Sequence, residues 1–172
     1  MRKELFQPSI ESEARILLLI NGFTTSTQSL EGRTKLAKLD FFLRYPHFMQ
    51  RALNIRKPNQ VMEIAPEERN NIEGGMIRYR YGPWDPSYYA ILGRLIGKEL
   101  VKTISNQQGL SYRTTEKGGT IANLLGEESS WSETNQRIKL LKRNFDISGN
   151  KLKNFIYENF PEIVNTSLGE KL

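Results

Sequence analysis

Residues 76–119, MIRYRYGPWDPSYYAILGRLIGKELVKTISNQQGLSYRTTEKGG, constrain the fold most, because strand, turn, helix, hairpin and helix signals follow one another without a break. Asp85 is placed to cap a helix that Pro86 opens with its fixed φ. Trp84 stands before the cap, at the spacing of a hydrophobic staple onto Tyr89. Tyr88, Tyr89, Ile91, Leu92, Leu95, Ile96 and Leu100 make a wide apolar face, and Ser87, Ala90, Arg94, Gly97 and Lys98 lie opposite. Leu100 to Ser105 then alternates like a strand, residues 106–109 supply turn chemistry, and Leu110, Tyr112 and Thr114 alternate on the way back. Thr115 caps a following helix carrying Ile121, Leu124 and Leu125, against the cost of Gly118 and Gly119 in its first turn.

Upstream, Ser9 followed by Glu11 and Glu13 announces a helix that ends at Asn21-Gly22. Its ILLLI run at residues 16–20 leaves no polar face, which marks it as the central core helix. A second helix is expected over residues 33–43, with Leu36, Leu39, Phe42 and Leu43 inward and Lys35, Lys38 and Arg44 mostly outside. Tyr45-Pro46 interrupts it, and Pro46 opens a third helix reaching Ile55. Helices followed by a recognition-like helix and a hairpin follow the order of a winged helix. The expected class is therefore α+β, mainly α with a small β-hairpin. A winged-helix domain would span residues 1–130, with a surface insertion at 57–75 that is partly helical over 66–72. A helical extension over 131–172 would begin at Ser132 and Glu133 and continue from Ser148 into a last helix stopped by Pro161, leaving 165–172 loose.

Length and composition narrow the chemistry. A chain of 172 residues supports one main core, and 25 Lys and Arg against 19 Asp and Glu give +6, a balance suited to a polyanionic partner. Cysteine is absent, so disulfides, thiolate metal sites and cysteine nucleophiles are excluded. The apolar run at 16–20 falls far short of the roughly 18 residues that span a bilayer. The N-terminal MRKELFQPS lacks the pattern of a signal peptide, so a cytoplasmic protein without a membrane partner is expected. No phosphate-binding Gly-rich loop with its Lys is present. A single histidine, His47, offers either a helix-start residue or a base, and the adjacent pairs Glu67-Glu68 and Glu127-Glu128 diverge on a helix. No catalytic residue, metal ligand or cofactor is expected.

Binding surfaces are the remaining chemistry. Arg94 and Lys98 on the recognition-like helix, with Lys102 and Arg113 on the hairpin, are candidate DNA-binding residues; a solvated face on a structural domain is the competing reading. That helix carries no Asn or Gln to read base edges, and Gly93 and Gly97 stand one turn apart, where either a partner helix can approach or the two simply pack within the domain. A second basic strip, Arg137, Lys139, Lys142 and Arg143, has the same two readings. Leu152, Phe155, Ile156, Tyr157 and Phe160 make a large aromatic face, read either as core or as a candidate partner-binding surface.

Four segments carry a family resemblance: GRTKLAKLDFFLRYP at 32–46, RYRYGPWDPSYYAILGRLIGKELV at 78–101, TEKG at 115–118 and SGNKLKNFIYENFPEI at 148–163. Together they resemble the middle component of bacterial ABC three-component systems, and within it the small subunit of Lamassu-type anti-phage and anti-plasmid defence. The resemblance implies a non-catalytic winged-helix subunit that joins an SMC-like coiled-coil ATPase to an effector nuclease and double-stranded DNA. ATP hydrolysis and cleavage would then belong to the partners. A winged-helix DNA-binding transcriptional regulator is the alternative.

Overall fold

The structure is a computed structural model that describes residues 8–62, 64, 76–79 and 82–172. In chain order its elements are α1 (Ile10–Gly22), β1 (Leu30–Glu31), α2 (Gly32–Arg44), α3 (Pro46–Arg56), β2 (Ile77–Tyr79), β3 (Gly82–Trp84), α4 (Tyr88–Gly97), β4 (Val101–Asn106), β5 (Gly109–Thr114), α5 (Glu116–Glu127), α6 (Ser129–Phe145), α7 (Gly149–Asn159) and α8 (Pro161–Asn165). The class is α+β, mainly helical, with one antiparallel sheet of order β1-β5-β4 and a separate β2-β3 ribbon. The helical segment expected at 66–72 lies outside the described residues.

Helix α2 is the centre of the packing. Every residue from Lys35 to Leu43 is buried, and α1, α3, α6, α7, β3 and β5 all pack on it. The expectation that Lys35, Lys38 and Arg44 lie outside is therefore corrected: apolar periodicity gives the inward face of a surface helix, but this helix has neighbours all round. Its buried charges need partners. Lys35 Nζ lies 2.7 Å from Asp146 at the end of α6. Asp40, fully buried, receives Arg15 of α1 at 2.6 and 3.3 Å and the Tyr88 hydroxyl of α4 at 2.6 Å. Arg44 lies 3.7 Å from Asp40 and donates at 2.5 Å to Asp85, just before α4. Burial alone would push the Asp40 carboxyl up, but Arg15 and Arg44 hold it below the usual carboxylate range.

Lys38 differs from these. It is 2% exposed, its ammonium donates only to the Pro83 carbonyl at 3.4 Å, and no carboxylate of the described residues pairs with it. Burial, with Lys153 and Arg78 nearby, pushes its pKa down to about 7.

The local signals at the start of α4 act differently from the expected cap. Asp85 Oδ1 accepts from Ser87 N at 2.8 Å and Ser87 Oγ at 2.6 Å, closing a turn, and the helix begins at Tyr88. Trp84 packs against Tyr88 and Tyr89, with ring centroids 5.1 and 5.9 Å away. At the other end Glu99 takes a left-handed φ of 60° and Leu100 N bonds back to Leu95 O at 3.0 Å, which turns the chain into β4. The hairpin forms where expected, but its turn is shorter: Asn106 pairs with Gly109, so only residues 107–108 turn the chain. Thr115 Oγ caps α5 by accepting from Gly118 N at 3.0 Å. Gly118 is required there, since a Cβ would sit 1.8 Å from the Leu100 carbonyl oxygen.

Other boundaries differ. β1 was not expected; its two residues pair with Tyr112 and Ser111 as the third strand. α6 starts at Ser129, earlier than Ser132. Pro161 ends α7 but also occupies the first position of α8. The tail expected to be loose is tied to the ribbon: Arg78 N donates to Glu170 O at 2.9 Å, Gly169 N to Arg78 O at 2.8 Å and Leu172 N to Met76 O at 3.1 Å. Residues of α6 and α7 share one core cluster with those of α1 and α2.

Two outcomes follow for chemical denaturation. Asp40→Asn leaves two guanidinium groups buried against a neutral amide and should cost about 3–5 kcal/mol at pH 7. Because the Asp40 pKa is depressed, its contribution is present above the ordinary carboxyl range and lost as pH falls, so the gap from wild type should narrow on acidification. Lys38→Met should be more stable than wild type near pH 7. Since protonation of Lys38 is disfavoured in the fold, the penalty is full below about 7 and fades towards the ordinary lysine value of 10.5, and that gap should shrink as pH rises.

Candidate partner and nucleic-acid interface

The inward face of α4 buries Tyr88, Ile91, Leu92 and Leu95, which leaves Tyr89, Ala90, Gly93, Arg94, Ile96, Gly97 and Lys98 outside. The expected apolar face is thus narrower, with Tyr89 60% and Ile96 39% exposed. Arg33, at the start of α2, lies with its guanidinium carbon 4.7 Å from the Tyr89 ring centroid. Gly93 and Gly97 face open space: a Cβ at either would meet nothing within 4 Å.

The cations of this helix are not free for phosphate. Lys98 Nζ donates to Glu13 Oε1 of α1 at 2.9 Å, and Arg94 lies 3.7 Å from the other oxygen of the same carboxylate. Both stay about half exposed, while Glu13 is buried beneath them. An α1 carboxylate bound by two α4 cations is a tether between helices, and sequence reading missed it because Glu13 read as a first-turn acid of α1. On the hairpin, Lys102 stands directly opposite Arg113. Like charges across a strand pair are unfavourable alone and favour an anion between or above them. Arg113 donates to the Thr25 carbonyl at 2.9 Å, and Lys102 is exposed.

The second basic strip separates on inspection of α6. Arg137 is 4% exposed and donates to Glu133 at 2.6 Å, so it is corrected from a phosphate contact to an internal ion pair. Lys142 donates to Asp146 at 2.6 Å and to Gln28 at 2.9 Å, and lies over the Phe23 ring. Lys139 and Arg143, one turn apart, remain exposed.

The aromatic face of α7 is likewise corrected. Leu152, Ile156 and Phe160 are each 0% exposed, inside the core built on α2. Phe160 meets Phe48 at 5.2 Å, Phe42 at 6.4 Å and Phe155 at 6.3 Å between centroids, and Phe155 meets Phe145 at 5.5 Å. Phe155 and Tyr157 are half-buried and packed against the same cluster. The apparent surplus of aromatic surface is taken up by α2, α3 and α6, which a helix read in isolation cannot reveal.

His47 is an exposed residue of the first turn of α3, its ring 4.3 Å from that of Phe48. Among the described residues, no group of three or more His, Asp or Glu side chains is placed to hold a metal ion, and no helix is long and apolar enough to cross a membrane. Comparison with protein-family models, curated proteins and solved structures gives no match.

Phe160→Ala should lower unfolding stability by about 3–5 kcal/mol, as deletion of a buried aromatic does, rather than leave a folded chain that fails only to bind. Urea denaturation of the isolated protein checks this. Gly93→Ala together with Gly97→Ala should instead raise stability, by about 1 kcal/mol per site at most, since each glycine weakens the helix and neither is needed for packing.

Proposed function

We propose that the chain is a non-catalytic accessory subunit of an SMC-like ATPase complex in anti-phage and anti-plasmid defence, linking a coiled-coil ATPase, an effector nuclease and double-stranded DNA in the cytoplasm. The four sequence segments named above motivate the family. The fold reading that goes with it is a winged helix: α1, β1, α2 and α3 precede α4, the β4-β5 hairpin follows, and the first strand closes the sheet in the order β1-β5-β4.

One observation carries the reading, the outer face of α4. The helix in the recognition position presents Ala90, Gly93 and Gly97 with no Asn or Gln, and its two cations are shared with Glu13. A base-reading helix needs donors and acceptors that reach groove edges. A helix that admits another backbone closely needs small residues. Gly93 and Gly97 each weaken the helix and serve no contact inside the fold. Protein docking on α4 accounts for both facts, and Lys102, Arg113, Lys139 and Arg143 supply phosphate contacts that assist without reading sequence.

Co-expression with an SMC-like coiled-coil ATPase from the same source tests this. The wild-type chain should co-elute with the ATPase, and Gly93→Leu with Gly97→Leu should keep the fold but abolish co-elution. A stable homodimer that ignores the ATPase and binds a palindromic duplex with half-sites about one helical turn apart would instead establish the regulator. Charge reversal of Lys102 and Arg113 should weaken DNA binding of the complex about equally across sequences and reduce its salt slope by about 1 to 2.

A further inference from the structure

The first turns of α2 and α7 meet the tip of the β4-β5 hairpin around an open cavity of about 330 Å³ that the role above does not use. Gly32, Arg33 and Thr34 line it from α2, and Gly149 and Asn150 line it from α7. The two helix starts approach closely: a Cβ on Gly149 would come within 3.0 Å of the Lys35 backbone nitrogen and 3.2 Å of Thr34 Cβ. Each N-terminus leaves backbone N–H groups without an intrahelical acceptor. At α2 no side chain caps them, and at α7 Ser148 Oγ accepts only from Lys151 N, at 3.3 Å. The N–H groups of Arg33, Thr34, Gly149 and Asn150 therefore have no acceptor among the described residues.

The floor of the cavity supplies an independent sign of a ligand. Ser111 of β5 lines it, is 6% exposed, and shares a face of the sheet with Glu31 and Ile104, its partners in register. Its hydroxyl has no hydrogen-bond partner among the described residues. A hydroxyl buried in this way is costly unless the space over it holds a group that bonds to it. Gln108 and Asn150 add side-chain amides at the mouth, neither of them bonded elsewhere among the described residues. Each helix N-terminus is equivalent to roughly half a positive charge. Neither first turn carries an acidic residue to offset it, so the two ends side by side favour an anion between them. One carboxylate borders the cavity, that of Glu31, which lies 3.4 Å from Lys35 Nζ and is 63% exposed. Arg33 contributes its N–H alone, since its guanidinium is stacked on Tyr89.

We propose that Ser111, Thr34 and the N-terminal N–H groups of α2 and α7 form a binding site for a phosphate-type oxyanion, with Gln108 and Asn150 at its mouth. The inference stands independently of the role proposed for α4. Small-molecule sites run from about 300 to 1,000 Å³, and this cavity falls at the low end of that range. The ligand is therefore small, either inorganic phosphate or a phosphate monoester. The shared chemistry is a tetrahedral group with several acceptor oxygens for donors that the fold leaves unused.

Calorimetric titration of the full chain with inorganic phosphate, against chloride at equal ionic strength and pH 7, tests it, and amide NMR spectra locate the ligand. Wild type should show one saturable site, with the amide signals of Arg33, Thr34, Gly149 and Asn150 shifting. Ser111→Ala should weaken binding about 10-fold, the equivalent of one hydrogen bond to a charged group, with no loss of Tm. Asn150→Asp places a carboxylate where a helix start favours it, so Tm in chloride should hold or rise while phosphate binding falls by about 10-fold or more. Glu31→Gln, which removes the one bordering carboxylate, should tighten binding several-fold. Absence of saturable binding to wild type, amide shifts confined to other residues, or wild-type affinity in Ser111→Ala or Asn150→Asp would overturn the site. Should Ser111→Ala not fold, Asn150→Asp at its exposed position decides. Tighter binding of adenosine monophosphate than of inorganic phosphate assigns the site to a phosphate monoester, and equal or weaker binding assigns it to the free ion; either result supports the site. Displacement of phosphate by adenosine would overturn the oxyanion assignment.

Discussion

Asp40 is the side chain on which the relation of α1, α2 and α4 depends. Its carboxylate is fully buried and takes Arg15 from one side and the Tyr88 hydroxyl from another, while Arg44 spans from it to Asp85. Two carboxylates and two guanidinium groups leave the cluster without net charge. Such a network adds little to stability over a well-packed apolar core, yet breaking it is costly, so it selects one orientation of the three helices over others. The Trp-Asp-Pro-Ser-Tyr-Tyr sequence at 84–89 becomes intelligible in these terms: Asp85 closes the turn and binds Arg44, Trp84 packs on both tyrosines, and Tyr88 reaches Asp40.

Anchoring α4 from within decides what is left outside. Its polar anchors point to Asp40 and Arg44, and the outward side combines the small residues Ala90, Gly93 and Gly97 with exposed Tyr89 and Ile96 and the two cations. The same helix is held at its far end by Lys98 and Arg94 on Glu13, and the glycine of α5 seats against Leu100 just beyond. A helix fixed at both ends and open between them is a rigid platform. Under the role proposed above, this platform is where another protein docks.

Much of this was legible in the sequence wherever a signal is local. The α1 and α5 caps, the Pro46 start of α3, the hairpin turn within residues 106–109 and the Trp84 staple all lie within a few residues of what they control. Long-range packing was not legible. Charges on α2 read as an exposed face because periodicity records only one neighbour, and the aromatics of α7 read as surplus because their partners, Phe42, Phe48 and Phe145, are distant in sequence. β1 escaped notice since two residues carry no alternation, and the tail because its backbone bonds to the ribbon leave no side-chain pattern. Of the candidate site residues, Arg94 and Lys98 sit on Glu13 near the start of α1 and Arg113 on Thr25 beyond its end, whereas Arg137, Leu152, Ile156 and Phe160 are interior.

The central claim is that α4 meets a protein partner through its outer face. Hydrogen–deuterium exchange of the chain, alone and mixed with the coiled-coil ATPase proposed as its partner, tests it most directly. The account predicts new protection concentrated in α4, around Gly93 and Gly97, with α7 unchanged because it is already core. Protection confined to α7 and α8, with α4 exchanging as in the free chain, would contradict it.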